Sequence, residues 1–173
     1  MSDLYEKTIK SDKIYEGKIL NLRLDSVELP DRKYSKREIV EHLDVSAIIL
    51  VQDGKLLLIK HFRNTVNDVI YEIPAGMVDA GETPIEAAKR ELTEETGIIA
   101  SDVELVYSLF SSPGYSTEKI NFFFAKGPFE KGEQKENLEV EYIDLDKLGK
   151  MIDDLEIIDM KTVVAYYIAK GLV

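Results

Sequence analysis

Glu91, Glu94 and Glu95 are the residues of this chain best spaced to do chemistry. Their spacing is i, i+3, i+4, which on a helix gathers three carboxylates on one side. Like charges so close repel one another, and an isolated helix would not favour them. A hard divalent cation reverses that sign. Carboxylate oxygens at this density suit Mg²⁺ or Mn²⁺, and the absence of cysteine argues against a soft-metal site. Such a cation could lower the pKa of a bound water and neutralise negative charge on an oxygen.

The local sequence predicts the helix that must carry these residues, over about 83–96. Thr83 suits the N-cap, Pro84 the first helical position, and Glu86 the reciprocal place in a capping box. Gly97 suits a left-handed stop. Ile85, Ala88 and Leu92 recur at helical spacing and are expected to face a core, with the glutamates on another face.

The segment from Gly76 to Ile98, GMVDAGETPIEAAKRELTEETGI, carries Gly76, Glu82, Arg90-Glu91-Leu92, Glu94, Glu95, Gly97 and Ile98 at fixed spacings. It resembles the signature box of the Nudix hydrolases, which cleave nucleoside diphosphates linked to another group. A chance match of every defined position at this composition has odds on the order of 10⁻⁶ per chain. SSPGYSTE, with Pro113 sixteen residues beyond Gly97, resembles the ADP-ribose pyrophosphatase branch, as do KREIVEH and HFRNTVNDVIYEIPAGMVD.

The resemblance implies Mg²⁺-dependent hydrolysis of ADP-ribose to AMP and ribose 5-phosphate. It implies metal ligands at Glu91, Glu95 and Glu94, at the backbone carbonyl of Ala75, and with lower rank at Glu82. Arg90 is expected to orient the glutamates by ion pairing. Glu118 is expected to act as general base, at the far end of a loop containing Pro113 and Gly114. Arg63 and Arg37 are candidates for gripping the diphosphate, because arginine suits forked contacts with phosphate. Glu72 is a candidate for the adenine, a cross-strand salt bridge being its other reading. Gly76 and Gly97 are read as conformational, His42 and His61 as structural, and the glutamates of 130–141 as a solvated face. Two alternatives stay open: a Nudix hydrolase of another nucleoside diphosphate derivative, and a non-catalytic ADP-ribose-binding regulator.

The 173 residues suit one domain, with about 1–40 as N-terminal dimerisation strands and about 41–173 as catalytic core. The expected class is mixed α/β (α+β): a Nudix-type mixed sheet sandwiched between helices, with an antiparallel N-terminal extension. In the branch it resembles, such an extension builds a homodimer. A loose arm is expected over 1–12, two strands around Gly17, and a strand over 36–42. A hairpin turning at Asp53-Gly54 joins 46–51 to 55–60. Further strands are expected at 69–73, 103–110, 119–125 and 139–143, with a polar connection over 126–138 and helices at 145–155 and 160–170.

The net charge of −11 weighs against broad binding to nucleic acid or anionic membrane. No signal-like apolar segment opens the chain and no run approaches transmembrane length, so a cytoplasmic protein is expected.

Overall fold

The computed structural model describes residues 4–172. These residues form ten strands and three helices, and they divide into two compact units.

The first unit contains the chain up to Asp44, together with Leu109–Ile120. Its sheet is the meander β1 (Lys7–Glu16), β2 (Leu20–Glu28) and β3 (Tyr34–His42), antiparallel throughout. The loose arm expected over 1–12 is therefore strand from Lys7 onward, and residues 1–3 lie outside the described residues. Polar, alternating KTIKSDK hides its strand character because most of β1 is exposed, leaving no buried face to impose an apolar period.

The second unit, Val45–Ser108 with Asn121–Val173, holds the larger core. Strands β4 (Val45–Gln52) and β5 (Lys55–Arg63) turn at Asp53-Gly54, both with positive φ (51° and 73°), as a tight primed turn requires. β6 (Asp68–Glu72) pairs with β5, and β7 (Ala75–Met77) with β4. β8 (Ile98–Phe110), β9 (Lys119–Lys131) and β10 (Glu139–Asp144) complete a sheet of order β10-β5-β4-β9-β8. The expected polar connection over 126–138 begins later than its composition suggests, because β9 continues to Lys131. β7 is not among the expected strands; three residues are too few to show a period.

Helix α1 (Pro84–Thr96) lies on one face of this sheet, where Ile48, Leu50, Leu57, Ala88, Leu92 and Phe123 form a buried cluster. The alternate residues Ala47 and Ile49 of β4 are equally buried, and the pleat points them to the opposite face. α3 (Met160–Leu172) packs against β4 and β6, and α2 (Leu145–Asp153) against α3 and β10. Buried Leu148, Ala165 and Ala169 supply the apolar faces of these two helices.

Candidate active site

The start of α1 follows its local signals. Thr83 accepts the N–H of Glu86, while the Glu86 carboxylate accepts the N–H of Thr83 at 2.8 Å. Gly97 ends the helix at φ 71°, donating its N–H to Thr93 O at 2.8 Å. Ser46 of β4 donates its hydroxyl to Pro84 O at 2.7 Å and ties this first turn to the sheet.

The buried face of α1 is Ala87, Ala88, Glu91, Leu92 and Glu95. Ile85 was expected there but is exposed in the first turn. Glu91 and Glu95 do not share a separate polar face. They lie at the margin of the apolar stripe, and the Glu95 residue is only 3% exposed. Glu94 sits further out.

Arg90 organises the carboxylates. Its Nε and Nη2 donate to the two oxygens of Glu82, each at 2.9 Å. Its Nη1 donates to Glu91 Oε1 at 2.5 Å and Glu94 Oε2 at 3.2 Å, and Nη2 also reaches Met77 O at 3.0 Å. Three carboxylates and one backbone carbonyl thus meet on a single guanidinium. The Arg90 fork holds the Glu82 carboxyl below its usual range.

β7 supplies the other wall. Its pairing with β4 sets Gly76 opposite Ser46 and Ala75 opposite Ala47. The N–H of Ala75 donates to Glu95 Oε2 at 2.9 Å. A Cβ on Gly76 would lie 2.0 Å from Glu91 Oε1. Gly76 is not among the glycines with positive φ, so its expected conformational role is corrected: it leaves room for a carboxylate. Gly97 keeps the conformational role.

Burial pushes Glu95 up to about 8, with the Ala75 N–H opposing it and the charges of Glu91 and Glu136 adding to it. Burial also raises Glu91, against the lowering effect of Arg90. Among the described residues, no three acidic or histidine side chains converge on one point as a ready cation cage. The donors nevertheless fit a hard divalent ion. Arg90 and Lys135 hold Glu82, Glu91 and Glu94, the charge of Glu136 is felt at Glu91 and Glu95, and Glu95 has a backbone N–H and the more distant charge of Arg63 but no ion pair among the described residues. All the available donors are oxygens.

Residues 134–136 were missed by reading 130–141 as a solvated face. The N–H groups of Lys135 and Glu136 donate to Glu94 O at 2.8 and 3.1 Å, and Gln134 Nε2 to Glu95 O at 2.9 Å. Lys135 Nζ caps Glu94 Oε1 at 2.7 Å. The charge of Glu136 acts on both Glu91 and Glu95. The signal available in the sequence was indirect: the last carbonyls of α1 need donors from elsewhere.

Arg63 and Glu72 come together with each other. Arg63 Nε and Nη2 donate to the two oxygens of Glu72, both at 2.6 Å, a salt bridge between β5 and β6 that runs along the strands, since Arg63 lies opposite Asp68 and Glu72 opposite Ile59. His61, one strand repeat earlier, feels the charges of Arg63, Glu72, Glu136 and Lys161; its Nδ1 is buried without a partner and burial lowers its pKa.

The remaining candidates belong to the first unit. Arg37 forks onto Glu6, with Nε and Nη2 at 2.9 and 2.6 Å. Pro113 and Gly114 lie in a turn in which Ser112 O accepts the N–H groups of Tyr115 and Ser116. Glu118 Oε1 lies 3.4 Å from His42 Nδ1.

Comparison with known proteins gives concordant matches. A family model described as NUDIX domain matches residues 40–165, and one described as nucleoside diphosphate sugar hydrolase N-terminal domain matches residues 6–40. The chain is 38% identical over 171 residues to a Bacillus subtilis protein named ADP-ribose pyrophosphatase, covering 95% of this chain and 92% of that protein. It is 39% identical over 166 residues to a Bacillus methanolicus protein named methanol dehydrogenase activator, covering 92% and 90%. A crystal structure of an ADP compounds hydrolase shares the fold, with TM-score 0.85 at 20% identity over 98% of this chain and 95% of that one.

Proposed function

The chain belongs to the Nudix family, and from that premise we propose that it hydrolyses the pyrophosphate bond of ADP-ribose, and of related ADP-sugars, to AMP and the sugar phosphate. The observation that carries this reading is the buried, arginine-oriented carboxylate group on α1. A pure nucleotide binder has no need of two buried glutamates held against a glycine wall.

Glu91, Glu95 and Glu94, with the Ala75 carbonyl, would hold Mg²⁺ or Mn²⁺, and Glu82 would act through Arg90. The bound cation would supply charge neutralisation and a water of lowered pKa. Everything else falls to the chain. Arg90 fixes the carboxylates before substrate arrives, so little reorganisation is left for the reaction. Arg63 spends Nε and Nη2 on Glu72 and keeps Nη1 for a diphosphate oxygen; Arg37, Pro113 and Gly114 stay proposed as further substrate contacts. Glu72 works through Arg63. Glu118 accepts the proton of the attacking water. Glu136 is the rival for that task, because its charge is felt at both Glu91 and Glu95.

The first forty residues would pair two copies into a homodimer. β1 supports this by leaving Ile9, Ile14 and Tyr15 each more than half exposed. A cytoplasmic setting accords with the composition, and no described helix is long and apolar enough to cross a membrane.

The test is release of AMP from ADP-ribose in Mg²⁺, with Glu95→Gln as control. Turnover abolished by that variant and by chelator supports the enzyme. ADP-ribose binding without turnover would favour the regulator reading. Turnover of GDP-sugars alone would move the substrate within the family.

A further inference from the structure

Lys161 is an interior cation that the proposed chemistry does not use. It lies in the first turn of α3 with its side chain 12% exposed, and its Nζ donates to Glu72 Oε2 at 2.7 Å. The same nitrogen lies 3.1 Å from Asp159 Oδ1. Asp159 is itself committed, since its Oδ2 accepts the N–H of Thr162 at 2.9 Å and the Thr162 hydroxyl at 2.6 Å. The Thr162 oxygen in turn accepts the N–H of Ile73 at 2.9 Å, one residue beyond Glu72. The contacts close a ring from Glu72 through Lys161, Asp159 and Thr162 back to the adjoining backbone.

A ring of this kind leaves the Glu72 carboxylate no freedom to rotate. Glu72 is also what fixes Arg63, through two bonds of 2.6 Å. Arg63 is the most exposed member of the series, with its side chain 38% accessible, whereas Glu72 is 3% accessible. The charges alternate from the open end inward: Arg63, Glu72, Lys161, Asp159. Without Lys161, Glu72 alone would face Arg63 and cancel most of its field, and the inner Asp159 would add a negative charge behind them.

We infer that Lys161 is a positioning residue for substrate binding: by locking Glu72 it holds the Arg63 guanidinium with its free Nη1 edge turned to a diphosphate and keeps that edge electropositive. The inference rests on the reading of Arg63 as a diphosphate contact. The depressed pKa of Glu72 accords with it, since burial pushes the carboxyl up and the two cations outweigh that by favouring the ionised form.

The experiment compares ADP affinity by calorimetry in Mg²⁺ with steady-state hydrolysis of ADP-ribose, for wild type, Lys161→Met and Lys161→Arg. Loss of one well-aligned charge-assisted contact predicts that Lys161→Met weakens ADP binding and raises KM by about tenfold or more, with kcat within about threefold. Lys161→Arg should recover most of the affinity, because a guanidinium can still bond Glu72. A lower melting temperature with unchanged ADP affinity and KM would overturn the inference, leaving Lys161 as a stabilising residue only. Glu72→Gln with and without Lys161→Met covers the case in which Lys161→Met alone does not fold, since the double variant removes the buried Glu72 charge together with the cation that faces it. If Lys161 acts through Glu72, the second substitution adds no further loss of affinity; additive losses would refute it. Wild-type protein that neither binds ADP nor hydrolyses ADP-ribose would instead bring down the functional reading, and the inference with it.

Discussion

Replacing Gly76 by alanine puts a methyl group where Glu91 holds its carboxylate. The added Cβ would meet Oε1 at 2.0 Å, Cδ at 2.1 Å and Oε2 at 2.6 Å. Ordinary contact for such atoms is roughly 3.5 Å, so the carboxylate must retreat by about 1.5 Å. The backbone raises no objection, because Gly76 is outside the left-handed region. The cost therefore falls on Glu91. Moving it strains its rotamer by about 0.5–1.5 kcal/mol and breaks the 2.5 Å bond from Arg90, a charge-assisted contact of about 1.5–3 kcal/mol. Reduced freedom of the unfolded chain returns about 0.4–1 kcal/mol. The net loss of about 1–4 kcal/mol lowers Tm by roughly 3–15 °C in a chain of this size, so the variant remains folded at 25 °C.

Activity should fall much further than stability. A displacement of about 1 Å at a reacting group can cost about 10²-fold, and Glu91 is a candidate cation ligand. The assay is AMP release from ADP-ribose under saturating Mg²⁺, beside thermal melts followed by circular dichroism. Gly171→Ala serves as control: a Cβ there meets nothing within 4 Å, and the residue lies in α3, far along the chain from the box. A folded Gly76→Ala protein with kcat/KM within a few-fold of wild type would refute the reasoning, since the position of the Glu91 carboxylate would then not matter.

The choice of proton acceptor is read from Glu118→Gln beside Glu136→Gln: the true base should cost about 10²-fold or more in kcat, and a near-normal rate removes that residue from the role. Burial pushes the Glu72 carboxyl up, but Arg63 and Lys161 outweigh it and hold it down to about 2 against an ordinary 4.5, so the stability it contributes is full above about pH 4.5 and is lost as pH falls toward 2. That shift is worth about 3 kcal/mol at 1.36 kcal/mol per unit, and denaturant titrations of wild type and Glu72→Gln from pH 6 to 2.5 should converge as the pH drops; parallel curves would deny the linkage. Mg²⁺ at about 100 times its Kd should stabilise the fold by about 2.7 kcal/mol, and the stabilisation should shrink in Glu95→Gln. Sedimentation should give a dimer of the 19.7 kDa chain, shifted toward monomer by Ile14→Asp on β1; a wild-type monomer would end the dimer reading.

The legible parts of this protein are those in which local chemistry dictates local geometry. The helix bearing the glutamates could be read to within a residue because Thr83, Pro84, Glu86 and Gly97 each act on their own few backbone bonds. Asp53-Gly54 was equally local. What the spacing could not give was the environment of the carboxylates. Whether Glu91 and Glu95 face solvent or the margin of a core depends on how α1 rolls on the sheet, and that depends on β7, whose three residues show no period. Gly76 illustrates the gap. A glycine before a helix reads as a turn residue, and only the tertiary placement of β7 against α1 reveals that it makes room for Glu91.

The pairing of Arg63 with Glu72 has a similar cause. Each residue alone is a plausible ligand contact, one for phosphate and one for a base. On neighbouring strands, though four positions apart in register, they reach each other and are satisfied, because a buried carboxylate left without a cation would be far costlier than a surface one. Burial of Glu72 thus decides the conformation of Arg63, and Lys161, ninety-eight residues along the chain from Arg63, decides that of Glu72. No spacing rule reaches across such a distance. The loop of Gln134, Lys135 and Glu136 escaped for the same reason, since its partners are the carbonyls that α1 cannot satisfy by itself. In both cases a polar group whose need is evident locally is met by a segment remote in sequence, and those remote suppliers are where further residues governing the chemistry of this site should be sought.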